Sequence, residues 1–536
     1  MLSNNEKPCL VEVKQGFSIL YKEKYLYSKY NPEKNISCLI DDLLIKEYTL
    51  VLLCSPILSY GIEKLIQKLP QKSVIVGIEF DKNLFEIGKK YLAPLQEKFS
   101  KQFIYLYYEN PYRFIKELHE PSNTKFFISS FKYVKKIDAS GGTQFYKDFY
   151  TTTLDLTQNA ISQFWKNRIT IQYLGKLYAK NIFKNMPFVY KSELVQEKTI
   201  ESNILVLGGG GSVDAIIPIL KKVQNNFFII AVDSVASTLI KNHIQIDVLI
   251  AVESQLANEQ AFVGNCSQIP LLFADLTSRT NIIKHCNHYS FFLSEYTQCN
   301  YLTRIEEKVG IPKIPPLGSV GLTAVYIAIA LRKNTSIPIY ICGLDFSFTL
   351  GKTHCKEAPS QRRILDKHTK LQGIESISFS KSQFSCENAL KKKIYTDIPL
   401  NSYCQNFIQQ FTNEKNLFTL TQEGIDLSLP YKTLSDIAYK QEKKLSNKTT
   451  PFFRKNSVYD YLCQEKEKLE SIKKMLTKEI PVANLQELLT ECDYLFLHFP
   501  DGYEGAKDSI PFLKRVRAEI DYFLKIINLS LSKINE

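Results

Sequence analysis

The feature that most constrains this chain is a series of short apolar runs between about 200 and 400, alternating with stretches of helical spacing. Ile204 to Leu207, Phe227 to Val232, Val248 to Val252, Leu271 to Ala274, Ser290 to Leu293 and Ile337 to Cys342 read as largely buried strands. Buried strands alternating with helices make a parallel α/β sheet, and such sheets hold ligands beyond the carboxyl ends of their strands. The residues just after each strand are therefore where chemistry is expected.

After the first strand come Gly208, Gly209, Gly210, Gly211, Ser212, Val213 and Asp214. A glycine turn at a helix N-terminus offers free backbone N–H groups and the positive end of a helix dipole, which favour an anion such as a nucleotide phosphate. Ser212 can cap the helix or bond a phosphate, and the same residues also read as a tight packing turn. No Walker lysine follows, which rules out a P-loop. Asp233 and Ser234 end the next strand and Glu253 ends the one after, either converging on the crevice or capping the following helices. Gly318, Ser319, Val320, Gly321, Leu322 and Thr323 form a second small-residue entry to a helix. The run Ile339 to Cys342 ends at Gly343, Leu344 and Asp345, and the loop beyond carries Gly351, Lys352, Thr353, His354 and Lys356. A histidine with lysines and an aspartate nearby is an acid/base candidate.

At 536 residues the chain exceeds one compact core. Residues 1–142 read as an N-terminal α/β domain, with strands at Tyr48 to Leu53 and Ser73 to Ile78 around a helix from Ile62 to Leu69. This is a Rossmann-like start without the G-x-G-x-x-G turn, so Glu79 is read as a solvated strand end or a vestige of a ribose-binding residue. Residues 143–198 read as a helical connector whose stripe of Phe149, Leu154, Ile161, Phe164, Trp165, Ile169, Tyr173 and Leu177 is packing surface. Residues 199–400 form the central domain. Beyond 400 strand signals fade, and amphipathic helices at Val458 to Lys478 and Lys514 to Lys533 define a C-terminal helical domain, 401–536.

The 12 cysteines show no C-x-x-C spacing and the 7 histidines no metal-binding pair, so neither a disulfide framework nor a protein-held zinc is expected. The formal charge of +13 is spread along the chain and mixed with 55 acidic residues, which reads as a solvated lysine-rich surface rather than a nucleic-acid interface. No signal-like N-terminus and no uncharged run of about 18 apolar residues is present, so a cytoplasmic protein without a membrane span is expected.

At the glycine turn, at IIAVDSVASTLIKNHIQIDVLIAVESQ, and above all at GSVGLTA followed by CGLDFSFTLGKTH, the chain resembles the motility-associated factor (Maf) family of flagellin glycosyltransferases. It departs from that family in having glycine where a proline usually precedes Ser212, and Glu253 where aspartate is common. The resemblance implies a Rossmann-like, GT-A-type central domain similar to bacterial sialyltransferases. It implies transfer of a nonulosonic acid, of pseudaminic or legionaminic type, from a CMP-activated donor to serine or threonine of flagellin, in support of filament assembly and motility. On that reading Gly208 to Gly211, Ser212, Gly318, Ser319, Gly321 and Thr323 surround the CMP phosphate, Asp233, Ser234 and Glu253 bond its ribose or base, and Lys352 binds a carboxylate or phosphate. His354 is the base and Asp345 its orienting partner. No D-x-D triplet occurs and a CMP-linked sugar carries one phosphate, so an inverting, metal-independent reaction without a cofactor is expected. Two alternatives are a pterin pyrophosphokinase-like enzyme and a non-catalytic flagellin-binding assembly factor.

Overall fold

A computed structural model describes residues 7–120, 122, 126–193, 198–262, 268–297, 299–437, 445–447, 455–477, 483–502 and 509–536. Lys478, the expected end of one helix, lies outside the described residues. The chain divides into two compact units, Met1–Thr170 and Ile171–Glu536. Among the described residues no helix is long and apolar enough to cross a membrane.

In the first unit, strands β1 (Thr49–Cys54), β2 (Val74–Glu79), β3 (Phe103–Tyr107) and β4 (Tyr133–Asp138) pair in parallel in the order β3-β2-β1-β4. β1 and β2 are buried at every position because they are central and covered on both faces, as their unbroken apolar sequences require. Helix α1 (Lys147–Val189) begins here, and its Phe149, Tyr150, Ile161, Phe164 and Trp165 pack into one core cluster. The aromatic stripe stops there. Ile169 and Tyr173, expected as packing surface, are 55% and 79% exposed.

Glu79 is not a solvated strand end. It is fully buried and accepts hydrogen bonds from Ser55 Oγ (2.7 Å), Tyr150 Oη (2.9 Å) and the backbone N–H groups of Phe80 (2.9 Å) and Asp81 (3.1 Å). The tyrosine of α1 thus fills the space where a ligand hydroxyl would meet this carboxylate. Burial outweighs these bonds and pushes the Glu79 carboxyl up to about 7 from its ordinary 4.5. An acid raised in the folded state contributes stability below its ordinary value, and that contribution is lost as pH rises from 4.5 through about 7. Urea unfolding followed by Trp165, the only tryptophan, should therefore show this unit weakening by on the order of 3 kcal/mol between pH 5 and 8. The Glu79→Gln chain should lose that pH dependence; an identical slope in both would contradict the assignment.

The second unit is built on a parallel sheet of β5 (Ile204–Leu207), β6 (Phe228–Val232), β7 (Val248–Ala251), β8 (Leu272–Asp275), β9 (Tyr289–Ser294), β10 (Lys313–Ile314), β11 (Ile339–Cys342) and β14 (Leu417–Thr419), in the order β10-β9-β8-β7-β6-β5-β11-β14. β12 and β13, which lie between β11 and β14 in the chain, form a separate ribbon described below. The chain moves outward from β5 to β10 and then returns to place β11 on the other side of β5. This reversal makes the β5–β11 boundary the topological switch point. Helix α2 (Val213–Val223) follows β5, α3 (Asp233–Lys241) follows β6, and α4 (Val320–Leu331) precedes β11. α4 is apolar nearly all round because it is buried against β5, β6, β7 and β11.

The region expected as a separate helical domain joins this unit instead. The three-residue β14 pairs with β11, against the expectation that strands end near 400, because an edge strand this short leaves little pattern in the sequence. The helices Lys455–Thr477 and Ile510–Asn535 bury Val458, Leu462, Val516 and Ile520 in the same core cluster as the sheet.

Candidate functional site

A cavity of about 450 Å³ opens beyond the carboxyl ends of β5, β6, β7 and β11, at the switch point. Gly208, Gly209 and Gly210 reach it from β5, Asp233 and Ser234 from β6, Glu253 from β7, and Gly343 to Phe348 from β11. Gly318, Ser319, Val320 and Gly321 bring in the N-terminus of α4, where the Ser319 side chain accepts from Gly321 N–H. His354 and Thr353 close one side, and Lys381, Asp397, Pro399, Leu400 and Tyr403 complete the wall.

The glycines are there because backbones meet. Gly208 N–H donates to Cys342 O and Gly210 N–H to Gly343 O, both at 2.8 Å. A Cβ on Gly208 would stand 2.3 Å from Gly343 O, and one on Gly210 would stand 2.4 Å from Asp345 Oδ2. Gly343 itself has φ +77°, a region that other residues rarely adopt. The turn after β5 is therefore locked into the turn after β11, and two of its amides are already spent on that lock.

Ser212 belongs to the same lock. Its hydroxyl donates to Asp345 Oδ1 at 2.5 Å and accepts from Gly343 N–H at 3.1 Å, while its N–H donates to Asp345 Oδ2 at 2.9 Å. It neither caps α2 through its side chain nor lines the cavity. Asp345 is correspondingly a buried strut between two loops, its carboxyl raised by burial against the pull of Ser212. It makes no hydrogen bond to His354, which corrects the expected pairing.

His354 is oriented by other residues. Its Nδ1 lies 3.1 Å from Thr353 Oγ1, and that hydroxyl lies 3.3 Å from Gln361 Oε1, which also accepts from the N–H groups of Thr353 (2.9 Å) and His354 (3.3 Å). Gln361 Nε2 donates in turn to Gly351 O at 2.8 Å. With Gln361 Oε1 as acceptor, the Thr353 hydroxyl donates to it and accepts from Nδ1–H, leaving Nε2 with a free lone pair. Burial, then Lys381 and Arg363, push the imidazole down to about 4, so it is neutral at physiological pH.

Across the cavity Asp233 is 7% exposed, and burial followed by the neighbouring Glu253 raises it to about 7. Burial raises Glu253 as well. Ser234 N–H donates to Asp233 Oδ1 at 2.7 Å. Two buried carboxyls with raised values on adjacent strand ends are biased toward their protonated forms and can bond ligand hydroxyl or amino groups.

Besides Ser212, three expected donor-site residues lie elsewhere. Lys352 Nζ is 3.0 Å from Asp214 Oδ2, whose carboxylate also accepts from Lys356 N–H, so this pair pins the histidine loop to the first turn of α2. Thr323 is buried within α4 and donates to Ser319 O. Gly211 packs beside the Lys352 stem outside the cavity. The residues missed by sequence reasoning are Lys381, Phe348 and Tyr403, which follow no strand directly, and Asp397. The last carried a signal: an aspartate two residues before Pro399 marks a helix start, and it caps α5 (Ile398–Phe411) by accepting from Leu400 N–H at 2.8 Å.

This geometry defines a parallel α/β protein with a ligand cavity at its switch point, and residues 180–351 match the 6-hydroxymethylpterin diphosphokinase MptE-like family. The fold is similar to that of the MAf glycosyltransferase from Magnetospirillum magneticum AMB-1, with a TM-score of 0.55 and 11% identity over 100% of this chain and 92% of that one. The chain belongs to one family with an uncharacterized protein of Treponema pallidum (strain Nichols), to which it is 30% identical over 561 aligned positions, covering 97% of this chain and 95% of that protein.

Proposed function

We propose that the chain is a glycosyltransferase that moves a nonulosonic acid, of pseudaminic or legionaminic type, from a CMP-activated donor to serine or threonine of flagellin, serving filament assembly and motility. The observation that carries this reading is a neutral, hydrogen-bonded His354 lining the same cavity as the N-terminus of α4 and the carboxyl pair Asp233 and Glu253. The likeness in fold to a MAf glycosyltransferase supports it.

In the reaction, His354 Nε2 takes the proton of the acceptor hydroxyl as its oxygen bonds to the anomeric carbon from the face opposite CMP. The bond from that carbon to the phosphate oxygen breaks, and its electron pair leaves with CMP, inverting the centre. Negative charge growing on the phosphate is met by the α4 N-terminus at Ser319 to Gly321, where backbone dipoles are already aimed. Asp233, Ser234 and Glu253 bond the ribose and base. A leaving group with one phosphate needs less neutralisation than a diphosphate, so the reaction proceeds without a metal.

A second reading, diphosphoryl transfer to a pterin, rests on the MptE-like match and on the paired carboxyls, which could hold a magnesium ion together with substrate phosphates. One experiment separates the readings. Purified protein is incubated with flagellin and a CMP-nonulosonic acid, and the flagellin mass is read with and without chelator. A gain of one sugar mass per site, insensitive to chelator, is expected. Dependence on ATP, pterin and magnesium would favour the second reading, and binding without any mass gain would leave an assembly factor.

A further inference from the structure

Strands β12 (Phe384–Glu387) and β13 (Lys393–Thr396) form an antiparallel two-stranded ribbon rooted at the cavity, since Lys381 before β12 and Asp397 after β13 both line it. Tyr395 of β13 exchanges both backbone bonds with Phe348, a cavity residue, at 2.8 and 2.9 Å. Backbone groups alternate sides along an antiparallel strand. Tyr395 therefore faces Phe348, and its β12 counterpart Ser385 turns its N–H and C=O away from β13, as does Glu387 two residues on. All four β12 residues are exposed, and no described residue bonds these outward groups. The edge holds no proline and carries an exposed Phe384.

An open edge of this kind is normally blunted or covered, because it is a template for another strand. Only a second backbone in extended form can pair with its alternating donors and acceptors. Two cations stand at its end: Lys391 and Lys392, exposed in the turn that joins β12 to β13, have no carboxylate partner among the described residues.

We propose that β12 is the docking edge for the acceptor polypeptide, which adds to it as an extended strand with acidic residues toward these lysines. The inference rests on the reading of the chain as a protein glycosyltransferase and adds how the acceptor is held. At about 4.8 Å per strand the docked segment lies roughly 14 Å from Phe348, so the modified hydroxyl belongs to a residue some four or five positions along, at about 3.3 Å each. Acceptor recognition is thus carried mainly by main chain and charge, and tolerates many side chains around the modified site.

The test uses the full chain and flagellin. Ser385→Pro removes the outward N–H without touching a bond to β13. The KM for flagellin should rise at least about tenfold, with kcat at saturating flagellin and hydrolysis of the donor in its absence unchanged. Ser385→Ala, which keeps the N–H, should behave as the natural chain. In that chain, hydrogen exchange at Ser385 and Glu387 should slow when flagellin is added. Unchanged exchange there, or an unchanged KM in Ser385→Pro, overturns the proposal. Donor hydrolysis and sugar transfer read the enzymatic assignment separately, and the exchange measurement decides docking even if neither occurs.

Discussion

Replacing His354 with alanine is expected to lower kcat for sugar transfer by about 10²- to 10⁴-fold, the range of a single general base. The loss should come without unfolding, since Thr353 keeps its backbone and hydroxyl contacts to Gln361 when the ring is gone. The pH profile carries a finer expectation. The imidazole titrates at about 4 in the free protein, held down by burial and then by Lys381 and Arg363. The base is neutral above that value, so kcat/KM should fall only as pH drops through about 4. A bound anionic donor offsets the two cations, and the corresponding limb in kcat should move upward. Flagellin mass measured over pH 3.5 to 8 reads both limbs. If the alanine chain still turns over at the natural rate, His354 is not the base and the reading of the loop is wrong.

The second large effect is structural. Gly343→Ala should be among the most damaging single changes in the second unit, because the new Cβ would stand 2.5 Å from both Gly208 O and Val213 Cγ2 at a backbone φ of +77°. One contact is with backbone, which cannot rotate away, and the conformation is unfavourable for any side chain. A cost of about 4 kcal/mol follows, near the upper end for single substitutions. In a unit this large that is a fall in Tm of roughly 5 °C, read by calorimetry. Gly351→Ala is the comparison: it shares a positive φ, but its Cβ meets nothing closer than 3.7 Å, so the milder loss isolates the backbone contact. Equal losses in the two chains would mean that strain alone, without the lock, explains both.

What could be read in the sequence follows from how local each signal is. The central strands were legible because burial on two faces leaves a continuous apolar run: Thr49–Cys54 and Val74–Glu79 in the first sheet, and Ile204–Leu207 through Ile339–Cys342 in the second, appear within a residue or two of the expected bounds, whereas the partly buried Phe103–Tyr107 and the largely exposed Tyr133–Asp138 were not read. Glu79 was misread because its partner Tyr150 lies 71 residues away on α1, and nothing near Glu79 announces it. Lys352 was expected, from the family resemblance, to bind a carboxylate or phosphate, yet its charge is taken by Asp214. Ser212 and Asp345 were each noticed, but as a phosphate contact and a histidine partner; their mutual bond spans 133 residues and is invisible to spacing. The aromatic wall at Phe348 and Tyr403 depends on how the loops after β11 fold back, which no periodicity encodes.

The lock between the turns of β5 and β11 also orders events during synthesis. Its halves are 131 to 134 residues apart, so β5 leaves the ribosome with one whole edge of the nascent sheet uncovered. At roughly ten residues per second, that edge waits about ten seconds or more for its neighbour. During that interval the half-sheet from β5 to β10 has apolar strands and unpaired backbone at the very place where the cavity will later form. A chaperone that shields nascent strands has its clearest opportunity there, and the ligand cavity is complete only once the chain has passed Tyr403.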